Sequence, residues 1–206
     1  MPFKLDGTIS RILGNIGLFI TVNLLCILCC LPLVTAGASI TALHYVMLQF
    51  IHGDAPNLLS DFWKSFRANL RQGIAIHLIA AGVGALLYFN LSFAAGNLHL
   101  GVPFQIMAFL SGALAFLYLL TVTVIYPLLA RYENTVSRTF YLAFLLAVTS
   151  FPTALLLLAV NLIPAVLFVL WPNAFLLLIP FYVFVGLSLV SYVDCLLLDR
   201  VFGKFA

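Results

Sequence analysis

The stretch NLLCILCCLPLVTAG, Asn23 to Gly37, holds Cys26, Cys29 and Cys30, three of the chain's four cysteines. Thiolates at such spacing serve as zinc ligands or as redox pairs. On one helix, Cβ atoms four residues apart lie about 5–6 Å from each other. A disulfide wants about 3.5–4.5 Å. A zinc site needs a fourth ligand at the same depth, and the remaining Cys195 lies far along the chain with no histidine in register. The expectation is packing, because a free Cys behaves as a small apolar side chain. Neither a metal nor a cofactor is expected.

A second set of residues is polar within apolar runs. Asp194, in SYVDCLLLDR, precedes Arg200 by six residues, which places it about 9 Å deeper along a helix. His77 follows Arg71 by six residues, and Asn15 follows Arg11 by four. Asp194, His77 and Asn15 therefore form a candidate polar cluster, with the nearby arginines as further partners. The alternative is that Asp194 points into water beyond the end of its apolar run. A neutral His44 is read as an interhelical hydrogen-bonding residue, while Asn23 and Asn90 are polar but neutral and, with His44, are the few groups that could line a midplane path. The chain shows no His-Glu-x-x-His, no paired carboxylates, no Ser–His pair at matching depth and no P-loop. These motifs carry metalloprotease, acid–base, nucleophilic and nucleotide chemistry, so no enzyme is expected.

The elements that position these residues follow from composition. Of 206 residues, 65% are hydrophobic and 7% charged, against about 25% charged in a soluble domain. Three long runs, Ile12–Ile51, Gln72–Ala130 and Thr139–Val193, lack Asp, Glu, Lys and Arg. Each exceeds the roughly 20 residues that span a bilayer, and each breaks at Pro and Gly signals. The expected fold is all-α, a polytopic bundle forming a single membrane domain over 1–206. Six spans fall near 13–31, 36–51, 73–94, 104–128, 139–160 and 174–197, with Pro152 in the fifth either kinking it or fitting a local packing gap.

With six spans, all nine Lys and Arg lie on one side, which the positive-inside rule makes cytoplasmic. Both termini are then cytoplasmic. A signal-peptide reading of Ala36-Gly37-Ala38 is set aside, because the preceding apolar stretch exceeds about 7–15 residues.

One segment resembles a surface helix. In NLLSDFWKSFRANLRQG, near 57–71, Leu58, Leu59, Phe62, Trp63, Phe66 and Leu70 recur at helical spacing. Asp61, Lys64, Arg67 and Arg71 occupy the other face, as in interfacial helices. The densest polar motif is PLLARYENTVSR. Arg131 and Glu133 are two apart and do not face each other on a helix, so Glu133 is expected to pair with Arg67 or Arg71. Lys64, Arg67, Arg71, Arg131, Glu133 and Asn134 make up a candidate cytoplasmic docking face.

Several of these motifs occur together: VNLLCILCCLPLVTAGASITALHYVM, FWKSFRANLRQGI and YPLLARYENTVSRTFYLAFLLA. The set resembles the YesL family of bacterial membrane proteins, a domain of unknown function. His44 departs from the pattern, where an aromatic is usual. The resemblance implies a link to carbohydrate uptake and brings no catalytic residues. The expected role is a non-enzymatic accessory or assembly component of a sugar transporter. The partners are then the lipid bilayer and sugar-transporter subunits, with no nucleic acid. A small stand-alone transporter or channel is the alternative.

The one-sided charge distribution predicts thiol labelling. In a cysteine-free background, a Cys at Asn97 reacts with an impermeant reagent in intact cells, and one at Asn134 only after lysis. The reverse pattern overturns the six-span, N-inside topology.

Overall fold

A computed structural model describes residues 7–53 and 57–203. Lys4 and Lys204, and the side chain of Arg11, lie outside the described residues. Among the described residues there is no strand. Eight α-helices follow in order: α1 (Gly7–Cys30), α2 (Ala36–His52), α3 (Leu58–Gly96), α4 (Val102–Arg131), α5 (Val136–Thr149), α6 (Phe151–Leu170), α7 (Pro172–Phe181) and α8 (Leu187–Phe202). A five-residue π-helix, Tyr182–Gly186, joins α7 to α8.

Among the described residues, six segments are long and apolar enough to cross a membrane. The surface fits that reading. Phe109 (76% exposed), Val169 (74%) and Leu177 (82%) are among many large apolar side chains on the outside. Water-soluble monomers rarely expose contiguous apolar patches on this scale.

Local chemistry explains the breaks. After α1, Pro32 is extended and cannot continue the helix. Thr35 closes the following turn, its hydroxyl donating to the carbonyls of Cys29 (2.6 Å) and Pro32 (2.8 Å). Gly53 ends α2 in the left-handed region (φ 80°), its N–H reaching the carbonyls of Gln49 and Phe50. Thr135 caps α5 by accepting from the Arg138 N–H.

Two expectations are corrected. The amphipathic segment near 57–71 is not a separate helix. It forms the first turns of α3, 39 residues without interruption. Such a helix rises about 58 Å, roughly twice a 30 Å hydrocarbon core, so its charged start extends beyond the apolar zone. Phe62 is fully buried there among residues of α1 and α2, and Trp63 and Phe66 meet edge to face.

The fifth span also shifts, from 139–160 to Phe151–Leu170. The chain breaks at Ser150, where Pro152 occupies the first turn of α6. That position suits Pro, since its missing N–H would be unpaired anyway. The expected loop around Asn161–Asn173 lies mostly inside α6, which tolerates Pro164 and ends at Trp171.

The centre of the bundle is α2, which packs on α1, α3, α4 and α8. Apolar side chains of α1 and α2 form one core with Phe62, Ala130 and Cys195. A second core joins α4, α5 and α6 to Ile76 and Leu198. The crossing of α2 and α3 is a contact of backbone on backbone. A Cβ on Gly37 would collide with the Gly73 carbonyl oxygen, and one on Gly73 would lie 2.7 Å from the Ala38 nitrogen. Small residues at membrane helix crossings permit this approach.

The crossing therefore predicts that Gly73→Ala pushes α2 and α3 apart, at a cost of about 1–3 kcal/mol. Thermal unfolding in detergent reads the change. Gly82→Ala on the same helix is the control, because nothing lies within 4 Å of its added Cβ. Equal stability of the two variants would show that the close crossing does not hold the bundle.

Candidate functional site

Several buried polar groups gather at the faces of α8. Asp194 is 2% exposed and His44 on α2 is 5% exposed. His44 Nε2 lies 3.7 Å from Asp194 Oδ2. Asn161 of α6 sits at the bundle surface and turns its amide inward, donating to Asp194 Oδ1 (3.1 Å) and Oδ2 (2.9 Å) and to the Leu157 carbonyl (3.0 Å). The carboxylate is thus covered from the outside by a carboxamide. The Cys195 thiol, next along α8, lies 3.5 Å from the His44 carbonyl oxygen.

The expected cluster of Asp194, His77 and Asn15 is corrected accordingly. Depth along a span does not fix which helices touch. His77, on α3, bonds to the Tyr126 hydroxyl of α4 at 2.9 Å. Asn15 is exposed on α1, beside an apolar surface hollow that it lines with Ile16, Phe19 and Val185. Asp194 faces α2 and α6 instead.

Asn23 of α1 is fully buried. Its amide donates to the carbonyls of Tyr182 (3.1 Å) and Val183 (2.6 Å), and its Oδ1 accepts from the Ser188 N–H (2.8 Å). A π-turn displaces the usual backbone pairing, and buried backbone groups must find partners. One carboxamide supplies them here. Gly186 allows the Tyr182 ring to fold against the same turn, where any Cβ would collide with it.

A third polar group closes the end of the bundle where α2, α4 and α8 terminate. Asp199 Oδ1 accepts from Arg131 Nη1 (2.5 Å) and faces His52 Nε2 at 3.2 Å. Next to it a cleft of about 720 Å³ is lined by Tyr45, Lys64, Asn69, Gln72, Arg131, Glu133 and Asn134, among others. The Gln72 amide donates to the Asn134 carbonyl (2.5 Å), which pins the α4–α5 loop to α3. Lys64, Arg131, Glu133 and Asn134 therefore share one cleft, while Arg67 and Arg71, on the same stretch of α3, are exposed and do not line it. Arg67 stacks over the Trp63 ring at 5.9 Å. The expected pairing of Glu133 with Arg67 or Arg71 is absent among the described residues, whose close acid–base contacts include His44–Asp194, His52–Asp199 and Arg131–Asp199.

The cysteines are free and take part in helix packing. Cys26 is fully buried against α2, where the Ser39 hydroxyl donates to its carbonyl at 2.9 Å. Cys29 and Cys30 are partly buried against the same core.

Sequence reasoning missed Asn161, which it placed in an interhelical loop. The signal was present: Asn161 and Asp194 are polar residues in the last two apolar segments, and such residues pair when their helices pack.

Removing the Asn23 carboxamide leaves the Ser188 N–H and two carbonyls without their partner. Asn23→Ala is expected to cost about 1–3 kcal/mol, read as a lowered unfolding midpoint in detergent. Asn15→Ala, at an exposed position of the same helix, leaves the midpoint unchanged. If the two behave alike, the π-turn is held by something other than Asn23.

No curated protein and no solved structure matches the chain. A family model described as "Protein of unknown function, DUF624" matches residues 19–91. That segment runs from α1 through α2 into α3, and it contains Asn23, the Gly37–Gly73 crossing, His44 and His77. Over its first three helices this membrane-type helical protein is thus similar to a family of unknown function.

Proposed function

We propose that the protein is a non-enzymatic accessory or assembly subunit linked to carbohydrate uptake, which docks its partner at the basic end of the bundle. The observation that supports this reading most is the cleft shared by Lys64, Arg131, Glu133 and Asn134. It lies beside the exposed Arg67 and Arg71 and is walled by a loop pinned through Gln72. Preformed polar clefts with charged rims favour specific, steered association. The carbohydrate link rests on the resemblance to the YesL family. Its last motif, YPLLARYENTVSRTFYLAFLLA, extends beyond the segment that matches the family of unknown function. On the positive-inside rule this end faces the cytoplasm.

A stand-alone transporter is the second reading. The buried His44–Asp194 pair, covered by the surface Asn161, favours it, because ionisable residues inside spans often mark transport pathways.

Purification in mild detergent from the native membrane separates the two. The accessory reading expects sugar-transporter subunits to co-purify, and Arg67→Glu with Arg71→Glu to weaken that capture severalfold while the protein itself stays folded. Unchanged capture would remove the docking face. Sugar movement by the isolated protein in liposomes would favour the transporter.

A further inference from the structure

His44 Nδ1 lies 2.8 Å from the Ile40 carbonyl oxygen. A carbonyl oxygen only accepts, so Nδ1 carries a hydrogen. In a neutral imidazole the other nitrogen, Nε2, is then a bare lone pair. Nε2 is buried, has no hydrogen-bond partner, and faces Asp194 Oδ2 at 3.7 Å. With neutral His44 and ionised Asp194, two acceptors would oppose each other in a site almost closed to water. That arrangement also places a net negative charge between α2, α6 and α8, which is costly at such burial.

We propose that His44 and Asp194 form a proton-binding site, holding as a pair one proton more than a neutral imidazole and a carboxylate would. The extra proton makes the pair net neutral. On Nε2 it gives an imidazolium facing a carboxylate. On Asp194 it gives a carboxylic acid that donates to Nε2. The Asn161 amide donates toward both carboxylate oxygens, and hydrogen bonds to the charged form favour it. The proton therefore resides on His44, and Asn161 positions the carboxylate beneath it.

The surroundings leave this assignment intact. The neighbouring titratable group on α8 is Cys195, whose thiol points to the His44 carbonyl. Cys26 of α1 belongs to the same core. His52 and Asp199 lie toward the ends of α2 and α8 and are closed by Arg131 of α4. His77 of α3 is bonded to Tyr126. Helix α6 carries no titratable side chain.

The site is read by counting its protons. The full chain, labelled with 15N-histidine and 13C-aspartate, is placed in lipid bilayers at neutral pH and examined by solid-state NMR. Through-space coupling between imidazole and carboxyl identifies the pair, and His52→Gln removes the other His–Asp contact from the spectrum. Two protons are expected, both on the imidazole ring; an imidazole and a carboxylic acid with one each also support the site. One proton, as neutral imidazole beside carboxylate, overturns the proposal, and so do three. In Asp194→Asn the imidazole is expected to fall to one proton. Should that variant not fold, the count in the unaltered pair still decides.

Discussion

The bundle depends on how closely α2 approaches α3. At Gly37 and Gly73 the two backbones touch with no side chain between them. This contact draws α2 into the middle, where α1, α4 and α8 can also reach it. A side chain on α2 is consequently buried on most faces, so His44 is almost closed to water and must find its partners inside. One steric allowance thus turns a mid-span histidine into an interior group.

Packing alone would leave this assembly poorly specified. In a bilayer, apolar contacts between helices are scarcely better than contacts with lipid tails, so small residues and hydrogen bonds carry the selectivity. The distribution of polar contacts along the last helix fits that principle. Near Ser188, α8 and the π-turn before it are tied to α1 through Asn23. At Asp194 α8 meets α2 and α6. At Asp199 it meets α2 and α4. Each tie involves a different set of helices, so sliding α8 by one turn would break all three.

Much of the architecture was legible in the sequence, for physical reasons. Apolar runs between charge groups show the spans directly, because hydrocarbon tolerates few charges. Pro32 and Gly53 end their helices as their backbone preferences require. The misreadings share one cause. The segment near 57–71 and the apolar span beginning at Gly73 look different in composition, yet a helix runs through both because no backbone constraint stops it. Pro152 looked like a kink inside a span and instead opens one, while Pro164 sits inside α6. Composition reports the solvent a segment meets; it does not report where the backbone turns.

The polar cluster shows the same limit at finer scale. Counting residues from the charged boundaries places Asp194 and His77 at similar depth, and both are polar within spans. Depth is one coordinate, whereas pairing needs the angular position and the neighbour as well. Asp194 and Asp199 are five residues apart on α8, more than one turn, and both face α2: Asp194 toward His44 and Asp199 toward His52. The two contacts thus lie on one helix–helix seam, one sealed and one at the rim. At the rim, Arg131 compensates the carboxylate with a permanent charge. In the interior no arginine or lysine is paired with Asp194 among the described residues; its partners are a carboxamide and an imidazole. A carboxylate held that way is compensated by a proton or not at all, which sets the interior half of the seam apart from the rim, where Arg131 supplies a fixed charge.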